Sequence, residues 1–547
     1  MKNKYFILSA AALLMAASCT DLNVDVKSNY TSYPENEIAQ EALATDCYFA
    51  HRGRYVGFYS GYIGLMELTG GAAVAVSFDG DYYDDGPRMR ATLHKVLPED
   101  YSIDWYSDIQ GGITKCNKAL MSLESEKTIA QIRAVRAFYH WMLMDAFGDT
   151  PILDHIYDDG EAVERKPRKD VTKWIESELL AVMNDLPTEL NKANYGKPTV
   201  WMAKTLLAKI YLNWAVYTAE NIASYDASTA ANAKLGDCIT VCNDIIQSGI
   251  FNLNDDYKTK FLPDNGPHIK DFIYAIPYTA SDKDGNDYGR YHTWRRGQND
   301  GYNGPGLYNI ALTNSCAGCI LMNPDFSNLF NLEGDRRNDC IYGNDPDGVV
   351  YQYGVDYEKT NIPTYYKGDA VKMKKTITLK AIEGISEIGP AYDHLNVGAD
   401  LNGWTQGWIS NKYCLNPSDY NNYGRNNSND VPIFRYADIL LMKAEALVRS
   451  GQGGAKDLFN QIRTYVHAPA ITSDPTLQDI LDERGREFFD EGWRRNDMIR
   501  FGQFENETWE IHKINPDAGN KNWRIFPIPT SVMNSNTNWK QNPGYIK

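Results

Sequence analysis

Long apolar runs are scarce in this 547-residue chain. One predominantly apolar run, Tyr5 to Met15, is too short to cross a bilayer, which takes roughly 20 residues. Positive charge is in deficit too: 55 Lys and Arg face 71 Asp and Glu, a net charge of −16. Phosphate backbones repel such a chain, which argues against a nucleic-acid partner. Catalytic signatures are missing as well. There is no G-x-S-x-G, no H-E-x-x-H and no Walker-type glycine loop, and the nine histidines form no metal-like pair. A glycoside hydrolase needs two carboxylates about 5–5.5 Å or about 6.5–9.5 Å apart. No stretch stands out as such a pair among the many acids.

Cysteine spacing gives little. Cys238 and Cys242 lie four apart, one face of a helix, and read as buried apolar residues. Cys316 and Cys319 form a C-x-x-C, but Cys340 and Cys414 stand alone, whereas structural zinc usually has a second close pair. In an oxidising compartment a loop disulfide fits the C-x-x-C at least as well, and the spacing dictates no pairing.

What is present begins at the N-terminus. Lys2 and Lys4 precede the apolar run, and Ala16-Ala17-Ser18 precede Cys19. This is the pattern of a secretory signal. A cysteine after small residues resembles the lipobox of bacterial lipoproteins, which implies cleavage after residue 18 and a lipid on Cys19. Several acyl chains on one residue anchor far more firmly than one. Removing residues 1–18 takes away two lysines and no acid, so the net charge moves from −16 to −18. With no other stretch of transmembrane length, the rest is expected to hang from that anchor as a soluble body.

Helical periodicity organises both ends. In 128–149, Ile132, Val135, Tyr139, Met142 and Ala146 recur at helical spacing, with Arg133 and Arg136 on the other side. Further helices are predicted near 171–186, 199–218 (with Thr199 as cap), 237–247, 436–451, 455–466 and 476–492. Paired helices joined by short turns suggest a tetratricopeptide-like scaffold, although the strict repeat pattern is absent. Between them the period disappears into Gly, Asn, Asp and Tyr, with one candidate strand at 371–382. The expected fold is mostly α: a scaffold of helical pairs with long irregular loop regions and little β. The expected divisions are a signal peptide at 1–18, a helical region at 19–250, a loop-rich ligand face at 251–430, and C-terminal helices with an extended tail at 431–547.

Four ordered segments then carry a resemblance: 133–153 (RAVRAFYHWMLMDAFGDTPIL), 432–451 (PIFRYADILLMKAEALVRSG), 481–502 (LDERGREFFDEGWRRNDMIRFG) and 526–545 (FPIPTSVMNSNTNWKQNPGY). With the lipobox before them, the chain resembles the SusD/RagB family of outer-membrane nutrient-binding lipoproteins. The resemblance implies a surface-exposed lipoprotein of a Gram-negative outer membrane. It would capture a glycan without cleaving it and pass it to a SusC-like TonB-dependent transporter. A peptide ligand, as in the RagB branch, is the alternative; a surface glycoside hydrolase is the weaker one. Glu483, Arg484, Arg486, Glu487, Arg494, Asp497, Arg435, Asp438 and Glu445 read as ion pairs locking helices together, not as catalysts.

Sugars present hydroxyl edges and a weakly apolar face, so a site needs a flat ring with polar groups around it. The chain holds 37 Tyr, 12 Trp and 18 Phe, and rings with a polar tip suit half-wet surfaces. Two loops fit: 77–90, with Asp81, Tyr82, Tyr83 and Arg88, and 284–306, with Tyr291, Trp294, Arg295 and Tyr302 among six glycines. These eight are the expected ligand-binding residues. In the family the glycan face draws on loops in about these two regions, and the role is carried over by region only. Trp294 is expected to be exposed, so that its removal would weaken binding without loss of stability. Trp404 and Trp408 are weaker candidates. No cofactor or metal ligand set is expected; Asp79–Asp85 suggests calcium, but its spacing lacks the Gly and Glu of an EF-hand loop.

Overall fold

Ser125 and Thr199 show how the scaffold is built, each starting a helix with its own hydroxyl. In the computed structural model the described residues are 37–57, 61–158, 160–282, 285–295, 312–354, 356–382, 392–506 and 509–545. Met1–Leu43 forms one unit, of which only the start of the Glu37–Tyr48 helix is described, and Ala44–Lys547 forms another. The signal segment and Cys19 lie outside the described residues.

Helix α1 (Trp105–Leu120) is followed by α2 (Glu126–Phe147), whose first turn is capped by Ser125 accepting the Thr128 N–H. Next come α3 (Arg168–Val182), α4 (Val200–Leu212) and α5 (Leu235–Gln247), with Thr199 capping α4 through the Met202 N–H. Each packs against its predecessor. After α5 the chain leaves the scaffold and returns as α6 (Tyr436–Arg449), which packs against both α4 and α5 and then against α7 (Ala455–Tyr465). A reciprocal cap between Thr476 and Asp479 starts α8 (Leu477–Phe488), and α9 (Arg494–Arg500) follows. The tail is irregular around one short helix, Thr530–Ser535, and Asn542 ties it to the Phe147 and Phe526 carbonyls.

Helix α2 departs from the expected one-sided stripe. It is buried nearly all round because α1 and α3 both pack on it while Phe138 and Trp141 meet Phe434 and Trp493. Arg136 therefore points inward, donating to Asn117 Oδ1 and the Asp154 carbonyl and pairing with Glu178 at 2.9 Å.

Strands are short. β1 (Ala73–Ala75) pairs with β3 (Ile320–Met322), and β2 (Phe272–Ile276) with β4 (Val431–Arg435), both antiparallel. The β2–β4 pair closes the neck of the excursion, with Val431 opposite Ile276 and Arg435 opposite Phe272. The candidate strand at 371–382 does not form. That segment meets its neighbours one residue at a time, Lys372 at Val349 and Lys374 at Gln406, so no ladder propagates.

Charge is buried where these parts meet. Arg435, fully enclosed, pairs with Asp271 and Glu491 at 2.7 Å and Glu487 at 2.8 Å. Arg337 pairs with Asp335 at 2.7 Å, Glu483 at 2.8 Å and Glu487 at 3.2 Å. Arg484 joins Asp438 to Asp497, and Arg500 joins Glu445 to Asp497. Burial alone would raise the Asp271 carboxyl, but Lys260 and Arg435 beside it outweigh that and hold it at about 2. These residues are locks, as expected, with one exception. Arg494 donates instead to the Leu481 carbonyl at 3.0 Å and lies over the Phe326 ring. The eight described cysteines, including both of the C-x-x-C, are buried, and no two of them are joined as a disulfide.

Candidate functional site

Ser77 to Gly86 folds as consecutive tight turns: the Phe78 and Asp81 backbones exchange hydrogen bonds, Tyr83 N donates to Gly80 O, and Gly86 N donates to Tyr83 O. Asp79, Tyr82, Asp84 and Asp85 all sit at φ between 47° and 65°, with Gly80 and Gly86 also left-handed. Non-glycine residues seldom adopt that region, and such a run persists only where the surroundings dictate it. At Gly86 a side chain would be strained by the left-handed backbone and would push Tyr83 aside, since a Cβ would lie 2.7 Å from the Tyr83 hydroxyl.

The surroundings are specific. Arg88, on the short helix Pro87–Thr92, runs beneath the loop and donates to the Tyr82 carbonyl at 2.7 Å and to Asp84 Oδ2 at 2.6 Å. Arg90 donates to the Asp85 carbonyl and to Asp100. Asp79 accepts from the Ala399 N–H and the Asn396 side chain, and its own N–H donates to Asn396 Oδ1. The Tyr83 ring lies on the His394 imidazole. What the loop offers outward is Asp79, Asp81, Asp84 and Asp85, exposed, and Tyr82 and Tyr83, half-buried.

The 287–295 segment meets this loop from one side. Arg295 pairs with Asp81, and its guanidinium lies over Phe78 at 4.7 Å and Tyr82 at 5.0 Å. A cation stacked on rings and tied to a carboxylate is fixed in direction, so the face is rigid before any ligand arrives. Two residues before His394, Tyr392 is exposed and borders an open hollow of about 580 Å³, lined also by Thr378, Leu379, Glu510 and Lys513. That volume falls in the range of small-ligand sites.

Three expected ligand residues are corrected by burial. Trp294 is 0% exposed and donates its indole N–H to the Trp404 carbonyl at 2.7 Å, so it is core. Tyr291 is enclosed, its hydroxyl shared between Arg290 and Asp287. Arg88 is the internal brace already described. Asp81, Tyr82, Tyr83 and Arg295 come together at the surface, and Tyr302 lies outside the described residues. Trp404 is buried against Tyr366, while Trp408 is half-buried beneath Lys375. The supports His394 and Asn396 carried no pattern in the chain, being single polar residues in an aperiodic stretch. Asp79, Asp81 and Asp84 each engage a different partner. Among the described residues no three His, Cys, Asp or Glu side chains gather as metal ligands.

A family profile described as SusD family matches residues 270–545, and a second, described as starch-binding associating with outer membrane, matches 82–212. The starch-binding protein SusD of Bacteroides thetaiotaomicron is 25% identical over 541 residues, spanning 89% of this chain and 91% of that protein. SusD-like protein P2 of Formosa agariphila is 25% identical over 443 residues, 76% of this chain and 74% of its own. Among solved structures, a laminarin-binding SusD-like protein superposes with a TM-score of 0.68 at 19% identity, covering 94% of this chain and all of that one. Surface glycan-binding protein A from Bacteroides thetaiotaomicron, in complex with laminarihexaose, superposes with a TM-score of 0.64 at 19% identity, covering 92% and 99%.

Proposed function

Because the chain belongs to the SusD family, we propose that it is a glycan-binding protein of the outer-membrane surface, anchored through Cys19, that captures oligosaccharide without cleaving it and delivers it to a SusC-like TonB-dependent transporter. The observation that carries the reading is the platform: Tyr82 and Tyr83 held half-exposed on a loop fixed from below, with Asp81 and Arg295 locked beside them. Half-exposed rings offer an apolar face to the C–H side of a sugar, while carboxylate oxygens accept its hydroxyl protons. Rigidity matters because ordering a loop on binding would consume affinity. The relatives named for starch and laminarin support a sugar ligand, and the outer-membrane description of the second profile supports the location. The reading calls for no cofactor.

The test is an affinity screen of soluble chain from residue 20 onward against polysaccharides and peptides, with product analysis of every ligand that binds. Binding with the glycan recovered intact supports the proposal. Cleavage products would replace it with a hydrolase, and peptide competing where glycan does not would move the protein to the peptide-binding branch. Delivery is tested separately, by co-purification with a SusC-like TonB-dependent transporter.

A further inference from the structure

Every described cation around the platform is already committed to a partner inside the protein. Arg295 pairs with Asp81, and Arg88 with Asp84. Arg90 holds Asp100, donating Nε at 3.0 Å. On the far side of His394, Lys95 reaches Asp393 at 3.4 Å, and Lys380, whose ammonium crowds Gly398, reaches Asp400 at 3.4 Å. At the hollow, Lys513 pairs with Glu510 at 2.9 Å. Arg290, deeper in, lies beside Asp287 and donates to the Tyr291 hydroxyl. Asp79 and Asp85 add exposed negative charge, and among the described residues no cation pairs with either carboxylate.

We infer that this face selects uncharged glycans and rejects those carrying carboxylate or sulfate groups; the inference rests on the glycan reading above. A uronate or sulfate arriving here meets exposed carboxylates, and would have to displace an internal carboxylate to gain a cation. A neutral sugar meets the opposite situation. Carboxylates whose charge is held by arginine still have lone pairs to accept hydroxyl protons, and the half-exposed rings do not depend on ligand charge. Like charges juxtaposed at an interface are an established way of refusing wrong partners. The chain as a whole, at −16, adds repulsion of the same sign that acts over about a Debye length, roughly 8 Å at physiological ionic strength.

The test uses the chain from residue 20 onward, which includes the whole Ala44–Lys547 unit, and matched polymers: a neutral polysaccharide that binds, and the same polymer after oxidation of its primary hydroxyls to carboxylates. The neutral form is expected to bind at least about tenfold more tightly at low salt, with the gap narrowing as salt rises. A gap indifferent to salt would reflect only the lost hydroxyl, and would overturn the electrostatic inference. In Asp81→Asn, which releases Arg295, the oxidised polymer is expected to gain affinity by about fivefold. No gain there, with the protein's melting temperature unchanged, also counts against it. Binding of uronate or sulfated polymers in preference to neutral ones overturns the inference while leaving the glycan reading intact. Binding of no polysaccharide overturns the glycan reading, and the inference with it.

Discussion

The ring of Tyr83 lies flat on the imidazole of His394, with centroids 3.7 Å apart and planes 13° from parallel. Two segments more than 300 residues apart in sequence thereby share one small stack at the rim of the platform. His394→Ala is expected to loosen the loop and weaken glycan binding by about two- to tenfold, the scale of one aromatic pair. Thermal melting should move little, since the loop is peripheral. Titration calorimetry beside a melting curve checks both.

Tyr82→Ala and Trp294→Ala should separate cleanly. Tyr82 is half-buried and faces outward, so its loss is expected to lower affinity with a near-normal melting temperature. Trp294 is enclosed and hydrogen-bonded, so truncation should destabilise the protein by about 3–5 kcal/mol. Denaturant unfolding of both variants decides it; equal stability would return Trp294 to the surface.

Arg435 carries a different kind of risk. Replacing it with methionine leaves Asp271, Glu487 and Glu491 facing one another without their shared cation. Breaking a buried pair in this way costs about 3–5 kcal/mol, because the remaining charge stays buried. Arg435→Met is therefore expected to unfold at markedly lower denaturant concentration. The far more exposed pair Arg54–Asp108, cut by Arg54→Met, should change stability by less than about 1 kcal/mol.

Stability should also fall between about pH 6.5 and 8. Burial raises the Glu67 carboxyl to about 8 and that of Asp430 to about 7, so the folded state holds protons that the unfolded chain has already released. A raised acid stabilises the fold at low pH and loses that contribution as pH rises through the folded value. Buried His51, His94 and His140, lowered by burial to about 3, 4 and 4, act in the opposite direction, but only below their ordinary value of 6.5. Glu67→Gln should flatten the decline above pH 6.5 in a series of melting curves. An unchanged slope would mean Glu67 is ionised in the fold.

The helical scaffold was legible because its signals are local: Thr199 before an apolar run, and paired stripes between short turns. The locks were legible from residue type, since an arginine four or three places from an acid on a buried helix has few other uses. Exposure was the failure. Glycine around Trp294 and Tyr291 suggested open loop, but glycine also permits backbones to approach closely, and here Arg295 N comes within 2.4 Å of where a Gly318 Cβ would sit. Arg88 looked like a ligand hook and is a brace, because an arginine's reach says nothing about direction. His394 and Asn396 brace the loop through contacts some 300 residues away, which no local pattern encodes.

The neck closed by β2 and β4 has an evolutionary reading. To the helices, everything from 277 to 430 begins and ends at one strand pair, as a short hairpin would. The length and sequence of what hangs there can drift, be exchanged or be grafted with little disturbance to the stack beneath. Residues inside that span that bond outside it do not share the freedom: Arg337 and Lys412, for instance, reach down to neutralise Glu483, Glu487 and Glu491. A transplanted segment would have to bring those cations with it, together with the strand Ile320–Met322 and the residues Arg295, His394 and Asn396 that brace the 77–86 loop.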